Sequence, residues 1–487
     1  MSTDYIRSYT ASIYTAASGG KKIGEFLWGD RVKVLTSSGV RRKVQGRGRT
    51  GYVKNSDLGG SSLLEVYFID VGQGDGVLVR TPNDKHILVD GGYNRDKQPT
   101  GKNAADFVDW KFAKDYRKDK VKIDAMIASH CDADHYGGLW DLLNPDETHE
   151  LDITDVEVHN FYHAGVSWWR KPGGGRFLGP ITDGYLTKLL SNRASVRDGL
   201  NPANSSLKLQ GQWADFMDVV YQHGCPVERL THMSGHLPGF EPNGSDASIR
   251  VLAPVEYGLN GESAYRALGA STSQNTNGHS VLLRLDYGRA RILLTGDLNK
   301  ASQQMLLHEY EGARSEFLCD VAKGCHHGSD DVSYEFLQSM RPAATIISSG
   351  DNEGHAHPRP NIVAASGITG HIHIQDDELI TPLVYSTEIS RSINVGTPTK
   401  LIHENLTDET GDTLEIEDLS ETTVDYKVVK AGDLSPSKRS KKLSKRLIVD
   451  GVVYGLVNVR TDGDVILCAV LNEKKNKWEY QTFRSRF

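Results

Sequence analysis

The sequence predicts an α/β fold with a small β-rich unit at either end of the chain. Apolar runs typical of buried strands, such as Ile123–Ala128 and Ile292–Leu294, lead directly into polar residues. An amphipathic helical pattern occurs between them, within Asp183–Val220. The chain has 487 residues, which is enough for about two to four domains.

Composition excludes several classes of protein. The formal net charge of −7 argues against a globally basic binding protein, and five cysteines without C-x-x-C spacing indicate reduced thiols rather than a disulfide framework. No apolar run reaches the ~18 residues that a transmembrane helix needs. Met1–Gly20 lacks the apolar core of a signal peptide. Together these features predict a cytoplasmic protein with no membrane contact.

Residues 1–60 form the first predicted domain. Short β-rich runs alternate here with turns at Gly29-Asp30 and at Gly46–Arg49. The pattern resembles a bacterial SH3-like β-barrel, which implies either a protein partner or a contact with nucleic acid. Arg41–Lys43 makes one loop region strongly basic. Such charge is usually a solvated face, and guidance of a substrate is the alternative interpretation.

The segment Ser129–Gly138 carries the strongest chemical signal in the chain. It places His130, Asp132, Asp134 and His135 within six positions, directly after an apolar strand. Imidazole and carboxylate donors at the tip of a rigid strand are typical of a catalytic metal site. The alternative is a hydrated polar turn that happens to contain two histidines.

Further polar segments lie at the ends of other predicted strands. They are Asp70–Gly76 after an apolar run, Asp90–Gly92 after Ile87–Val89, Asn275–Ser280 before a strand, Thr295–Asp297, Lys323–Ser329, and Gly354–Pro358. In this order the motifs D-V-G-Q-G-D, S-H-x-D-x-D-H-x-G-G, L-T-G-D, H-H-G-S and G-H-x-H-P resemble the metallo-β-lactamase superfamily. Asp132, where the superfamily commonly has His, narrows the resemblance to the ComEC-like branch found in DNA-uptake proteins.

The resemblance covers about Leu63–Arg391 and implies a four-layer αβ/βα sandwich with metals at one edge. It places the hydrolase domain at 61–400, with an insertion at about 151–243. The insertion contains Trp168 and Trp169 beside Arg170, Lys171 and a glycine run. The two rings either stack nucleic-acid bases or cover the edge of the core.

Carried over position by position, the resemblance implies two metal positions. His130 and Asp132 would hold the first ion, Asp134 and His135 the second, and Asp297 both. His279 is a further candidate for the first ion, and its alternative role is to cap a strand or contact substrate. His355 matches the last ligand position, with His357 as the weaker candidate.

The candidate catalytic residues are Asp134, His326, His327 and Lys323. One ring of the His326-His327 pair is expected to face the site and stabilise the departing group. His326 is favoured, and the other ring would then bond a loop backbone. Lys323 adds positive charge nearby. Asp75 and Asp90 are expected to orient ligand imidazoles and raise their basicity.

This ligand set predicts two divalent ions, Zn or Mn, that activate hydroxide for phosphodiester hydrolysis. The resemblance makes nucleic acid the expected substrate, DNA rather than RNA, and suggests a nuclease that acts as a bacterial antiphage defence or DNA-processing effector. Two alternatives remain open. One is hydrolysis of a small phosphodiester, such as a cyclic nucleotide or a phosphocholine ester. The other is a non-catalytic sensor with a vestigial metal fold.

Beyond the hydrolase domain the sequence predicts a charged linker at 401–446 and a small β-rich module at 447–487. Nine acids lie within 404–425, and six cations lie within 438–446. The basic cluster either tracks a phosphate backbone or is a solvated linker. Asp450-Gly451 and Asp462-Gly463 indicate hairpin turns in the terminal module.

Overall fold

The computed structural model describes residues 2–36, 39–98, 101–146, 151–201, 203, 207–349, 357–387, 394–428, 437–445, 448–450, 456–472 and 477–487. The chain forms two compact units. The first comprises Met1–Asp351, His357–Ile389 and Gly455–Phe487, and the second Asn352–Ala356 and Ser390–Tyr454. In the described part of the chain, no helix combines the length and the apolarity needed to cross a membrane.

The first unit begins with a six-stranded antiparallel sheet of order β1-β4-β5-β6-β2-β3. Its strands are β1 (Ser2–Tyr5), β2 (Thr10–Tyr14), β3 (Lys22–Leu27), β4 (Arg31–Val34), β5 (Arg41–Gly46) and β6 (Arg49–Lys54). Alternate apolar residues, among them Ile13, Phe26 and Val44, point inward and form a separate small core. The SH3-like character of this sheet stays a prediction.

The remaining strands of the first unit up to Ser386 are β7 (Leu64–Phe68), β8 (Val77–Arg80), β9 (His86–Val89), β10 (Val121–Ile123), β11 (Ala125–Ala128), β12 (Val156–Val158), β13 (Phe161–His163), β14 (Trp169–Arg170), β15 (Arg176–Phe177), β16 (Ile181–Thr182), β17 (Tyr185–Leu186), β18 (Val227–Arg229), β19 (Ser248–Ala253), β20 (Tyr257–Leu259), β21 (Glu262–Arg266), β22 (Leu282–Tyr287), β23 (Ala290–Leu294), β24 (Val321–Lys323), β25 (Ala344–Ile347), β26 (His373–Gln375), β27 (Glu378–Thr381) and β28 (Leu383–Ser386). The helices are α1 (Ala104–Trp110), α2 (Ala133–Leu143), α3 (Arg193–Leu200), α4 (Gln212–His223), α5 (Thr272–Gly278), α6 (Lys300–Glu309), α7 (Tyr334–Met340) and α8 (Pro360–Thr369).

The second unit contains β29 (Asn394–Gly396), β30 (Leu401–Thr407), β31 (Thr413–Ile416), β32 (Thr423–Val428), β33 (Ser437–Lys442) and β34 (Ile448–Asp450). They pair antiparallel as β29-β34, β30-β31 and β32-β33. The segment predicted as a charged linker therefore contains two hairpins. Its β-branched and apolar residues, such as Val424 and Ile416, favour strands despite the charge around them.

Two large sheets face each other in the first unit. After the second unit the chain adds β35 (Val457–Thr461), β36 (Val465–Asn472) and β37 (Lys477–Arg484). The nine-stranded sheet has the order β18-β13-β11-β9-β8-β7-β35-β36-β37, and the six-stranded sheet β19-β22-β23-β24-β25-β28. The first is parallel from β18 to β9, and the second is parallel from β23 to β28.

Three apolar cores hold these layers together. Side chains such as Val66, Ile127, Leu283 and Ile346 fill the space between the two sheets. Residues of α1, α2 and α4 cover the outer face of the nine-stranded sheet, and residues of α6, α7 and α8 cover that of the six-stranded sheet. The predicted four-layer αβ/βα sandwich is thus confirmed.

The C-terminal strands differ from the sequence expectation. Residues 447–487 were expected to contain a small separate sheet, but β35 pairs with β7 and extends the nine-stranded sheet. Val457 and Val459 join the core between the sheets. Without β35, β7 would be an edge strand with unpaired backbone groups, so this pairing completes the sheet. The predicted insertion similarly adds β13 and β18 to the opposite end of that sheet.

Candidate metal centre

The predicted site residues follow strands whose carboxyl ends meet at one edge of the sandwich. Asp90 follows β9, and Ser129-His130 follows the parallel neighbour β11. In the facing sheet, Asp297 follows β23 and Lys323 ends its parallel neighbour β24. Because these loops come from two opposed sheets, polar side chains separated in sequence converge between them.

Close backbone packing brings the loops together. Helix α2 starts inside the histidine motif, so Asp134 and His135 lie in its first turn. Gly74 has a φ of +112°, and a Cβ there would collide with the carbonyl of Asp134. A Cβ on Gly138 would likewise collide with the carbonyl of Gly91. Glycine is therefore required in both motifs to let the loops approach each other.

His135 is held between acids of both sheets. Its Nδ1 lies 2.8 Å from Asp90 Oδ2, and Asp90 Oδ1 accepts a 2.7 Å hydrogen bond from the Ser129 amide. A carboxylate only accepts, so the proton of the neutral ring lies on Nδ1. This leaves Nε2, which lies 3.2 Å from Asp297 Oδ2, as the free donor atom for a ligand.

His327 repeats this arrangement from the other sheet. Its Nδ1 lies 3.2 Å from the Ser348 carbonyl oxygen and 3.3 Å from Asp75 Oδ1. Its Nε2 lies 3.0 Å from Asp297 Oδ2 and 3.7 Å from Asp134 Oδ2. His326 and His327 both have left-handed backbones, with φ of 46° and 53°. Such outliers cost about 1–3 kcal/mol each and cluster at functional sites.

His130 and Asp132 form the third part of the cluster. Asp132 Oδ2 lies 3.7 Å from His130 Nε2 and accepts a 2.8 Å hydrogen bond from Thr276 Oγ1. The hydroxyls of Ser129 and Ser280 lie 3.1 and 3.3 Å from His130 Nδ1. Both ring and carboxylate are therefore oriented by neighbouring side chains.

Lys323 places a positive charge beside the carboxylates of Asp75 and Asp297. Its Nζ forms an ion pair with Asp75, lies 3.7 Å from Asp297 Oδ1, and donates a 2.9 Å hydrogen bond to the Gly296 carbonyl. Lys323 and Asp75 are both buried. Lys323 therefore holds the two carboxylates in place, and its ammonium group does not face solvent.

Four overlapping groups in the described residues bring three potential donor atoms within 4.8 Å of one another. The groups are His130-His135-Asp297, Asp134-His135-His327, Asp75-Asp297-His327 and Asp75-Asp90-His135. His135 belongs to three of them, and Asp75, Asp297 and His327 belong to two each. A family profile described as the Metallo-beta-lactamase superfamily matches residues 69–204, which include the histidine motif.

The chain carries a metallo-beta-lactamase domain. The chain is 23% identical over 314 residues to ComE operon protein 3 of Bacillus subtilis (strain 168), and the aligned region covers 62% of this chain and 30% of the relative. Competence protein ComA of Neisseria gonorrhoeae is 35% identical over 96 residues, covering 19% of this chain and 14% of the relative. Recombination protein 2 of Haemophilus influenzae is 39% identical over 75 residues, covering 15% and 9%.

These relatives confirm the predicted resemblance to the ComEC-like branch. The chain spans less than a third of the length of the curated relatives that it matches. Among solved structures, the metallo-beta-lactamase fold protein YhfI from Bacillus subtilis matches with a TM-score of 0.32 and 10% identity, over 66% of this chain and 96% of that one. The metal-dependent hydrolase Tm1679 matches with a TM-score of 0.30 and 12% identity, over 66% and 95%.

The metallo-beta-lactamase domain implies a divalent metal, and its polar cluster fits one. The Nε2 atoms of His130, His135 and His327 are buried and make no hydrogen bond within the described residues. Asp297 Oδ1 is also buried and makes no hydrogen bond within the described residues. Buried polar atoms are nearly always satisfied, and an ion between these imidazoles and carboxylates would satisfy them.

Burial and neighbouring charges shift the pKa values of the clustered groups. Burial lowers the pKa of His327, but Asp297 and Asp75 outweigh it and raise the pKa to about 10. Asp297 likewise raises the pKa of His135 well above its ordinary value, against the effect of burial. Burial lowers the pKa of His130 to about 3, and burial beside Asp134 raises that of Asp132 to about 6.

The structure brings most of the predicted site residues of the domain together. Eight of them contact one another or a shared neighbour at this edge of the sandwich: His130, Asp132, Asp134, His135, Asp297, Lys323, His326 and His327. His326 Nε2 lies 3.9 Å from Asp297 Oδ2 and 3.2 Å from Asn277 Nδ2. Of the pair, His327 is the ring inside the cluster, whereas His326 was the ring favoured by the sequence.

Two predicted ligands are not placed in the cluster. His279 Nε2 lies 3.0 Å from the Arg266 carbonyl oxygen, and its ring stacks on Tyr265 at 4.9 Å. The Nε2 atom is thus bonded to the backbone within the core, and we do not assign the ring to a metal. His355 lies outside the described residues. His357 lies nearby, with its ring centroid 6.4 Å from that of His327.

Three polar residues around the ligands were not singled out from the sequence. Thr276 holds Asp132, Asn277 contacts His326, and Gln73 Nε2 donates a 3.2 Å hydrogen bond to Asp134 Oδ2. Each follows or precedes a strand within a polar motif. Their position in a polar motif beside a strand indicated that they lie near the site. Their residue types did not show which ligand each one would support.

Proposed function

We propose that this chain is a metal-dependent phosphodiesterase that cleaves DNA. The observation that carries the proposal is Asp297 Oδ2, which lies within 3.2 Å of His135 Nε2 and 3.0 Å of His327 Nε2. One carboxylate oxygen at the centre of imidazoles from both sheets suits a group shared between two ions. A mixed His and carboxylate donor set without cysteine suits Zn or Mn.

The ligand residues divide around this carboxylate. His130 and Asp132 would hold one ion, Asp134 and His135 the other, and Asp297 both. His327, whose Nε2 contacts Asp134 and Asp297, would complete the donor set. When bound, two divalent ions supply Lewis-acid activation of water at neutral pH and neutralise charge on a phosphodiester.

The protein groups keep this arrangement rigid. Asp90 holds His135 through Nδ1, Asp75 and the Ser348 carbonyl hold His327 through Nδ1, and Thr276 holds Asp132. Such supporting hydrogen bonds fix which ring nitrogen is available and raise its basicity.

His326 is assigned to the departing oxygen. Its side chain is 22% exposed, whereas those of His130, His135 and His327 are at most 2% exposed. His326 Nε2 accepts from Asn277 Nδ2, which places the ring proton of the neutral form on Nδ1. Because this ring is the most exposed of the four, a substrate that approaches from solvent would meet it before the other three.

DNA is proposed as substrate because the relatives bear the names of competence and recombination proteins. The test is incubation of the purified protein, loaded with Mn²⁺ or Zn²⁺, with supercoiled plasmid, linear duplex and single-stranded DNA. We expect degradation by the native protein and none by Asp134→Asn, which keeps the shape of the side chain but weakens its metal binding.

The same experiment separates the other functions. Turnover of bis(p-nitrophenyl) phosphate without cleavage of any DNA would contradict the proposal and favour RNA or a small phosphodiester. No turnover of any of these substrates by the metal-bound protein would favour a non-catalytic sensor. A comparison of plasmid with linear duplex shows whether the enzyme requires an end.

A further inference from the structure

A positively charged ribbon lies beside the metal centre. Strands β14 and β15 pair antiparallel, with Trp169 opposite Phe177 and Arg170 opposite Arg176. The turn between them contains Gly173–Gly175, all three with positive φ, and no other atom lies near enough to restrict a side chain there. The exposed side chains of Arg170, Lys171 and Arg176 make the ribbon cationic.

The ribbon is fixed to the histidine motif by Trp168. Its indole Nε1 donates a 3.1 Å hydrogen bond to the carbonyl of Cys131, the residue between His130 and Asp132. Trp168 is buried, so its ring is not open for a base to stack on. The outer face of that ring instead carries the guanidinium of Arg176, with its Cζ 4.2 Å from the ring centroid.

This stacking orients Arg176 without neutralising it. In the part of the chain that the structure describes, Arg176 forms no ion pair with a carboxylate, and neither do Arg170 or Lys171. A guanidinium over the face of an aromatic ring still has N–H groups available for a phosphate.

We propose that Arg176 is a positioning residue that binds a backbone phosphate next to the scissile one, with Arg170 and Lys171 extending the contact along the strand. The inference rests on the proposed function and adds a substrate requirement. A polynucleotide has flanking phosphates that reach the ribbon, whereas a phosphodiester with a single phosphate does not. Arg176 therefore selects chains over small esters.

The test compares Arg176→Gln, Arg176→Lys and the control Arg484→Gln. Arg484 is 74% exposed in β37, which is five strands away from β9 in the nine-stranded sheet. Binding of a fluorescein-labelled single-stranded oligodeoxynucleotide is measured by anisotropy across a series of KCl concentrations, with Ca²⁺ in place of the active metal. Turnover of the same oligonucleotide and of bis(p-nitrophenyl) phosphate is measured with Mn²⁺.

Loss of one charged phosphate contact predicts about tenfold weaker binding for Arg176→Gln. The slope of log affinity against log salt concentration should also fall by about one. The KM for the oligonucleotide should rise with kcat little changed, turnover of bis(p-nitrophenyl) phosphate should be unaltered, and Arg176→Lys should restore the salt slope. A merely structural role for Arg176 would instead lower both activities together.

Two results overturn the inference, and they are distinguishable. If the native protein cleaves DNA but Arg176→Gln matches Arg484→Gln in affinity and salt slope, Arg176 does not contact phosphate and the proposed function stands. If the native protein hydrolyses bis(p-nitrophenyl) phosphate but neither binds nor cleaves DNA, the proposed function fails and this inference fails with it.

Discussion

Arg460 in the C-terminal strand β35 forms a 2.8 Å ion pair with Asp30 in the N-terminal sheet, and both side chains are almost fully buried. The same guanidinium donates to the Trp28 carbonyl oxygen. Glu65 in β7 lies 3.9 Å from Arg460 and 2.9 Å from Arg80. A buried charge network therefore joins the N-terminal sheet to β7 and β35.

Removal of Arg460 should destabilise the whole first unit. Arg460→Met leaves Asp30 and Glu65 buried with less compensating charge, and breaking a buried pair typically costs about 3–5 kcal/mol. We expect a loss of that size in the free energy of unfolding, measured by urea denaturation. Arg484→Gln removes a surface pair with Asp464 and should cost about 0–1 kcal/mol. Equal losses in the two variants would show that the network contributes little.

The network should also make stability depend on pH. Burial raises the pKa of Glu65, but Arg460, Arg80 and Lys111 outweigh it and lower the pKa from 4.5 to about 2. The pKa is lower in the folded state, so the stabilisation is complete above the unfolded value and is lost as the pH falls through about 2.

We therefore expect Glu65→Gln to flatten the fall in unfolding free energy between pH 4.5 and about 2, measured by urea titrations at each pH. The pKa of other buried acids, such as Asp115, is lowered too, so the quantity that matters is the difference in slope between variant and native protein. Exposed Glu335→Gln serves as the control for loss of a surface carboxylate. A slope in Glu65→Gln equal to the native one would refute the assignment.

Thr276 should support metal binding without being a ligand. Thr276→Val removes the 2.8 Å hydrogen bond to Asp132 Oδ2 at nearly constant volume. Loss of such a supporting contact typically weakens metal affinity about 10–100-fold. The measurement is competition for Zn²⁺ with a chromogenic chelator. Thr276→Ser keeps the hydroxyl and should remain close to native, so a loss in Ser equal to that in Val would point to packing instead.

Asp297 and His279 should differ sharply in their effect on bound metal. Asp297→Asn alters the carboxylate at the centre of the donor cluster, whereas His279→Gln alters a ring bonded to the Arg266 carbonyl. Metal content after dialysis should fall for Asp297→Asn and stay native for His279→Gln. The rise in melting temperature on adding Mn²⁺ should follow the same order, because a ligand stabilises only the state that binds it. Metal loss in His279→Gln would return His279 to the ligand set.

The sequence by itself determined the α/β class and the order of the polar motifs. These features are local: an apolar strand is recognisable from its own residues, and a loop after it carries its donors wherever the strand packs. His130, Asp132, Asp134 and His135 lie within six positions after one such strand, so their proximity required no knowledge of distant contacts.

Only the tertiary structure decided which side chains face the cluster and how the chain ends are joined. His327 rather than His326 enters the cluster where two successive left-handed residues turn the backbone. His279 follows the end of α5, and its ring contacts Tyr265 and the Arg266 carbonyl instead of the cluster. The pairing of β35 with β7 joins segments far apart in the chain. Side-chain direction and strand partnership depend on packing against distant residues, and a local pattern does not contain that information.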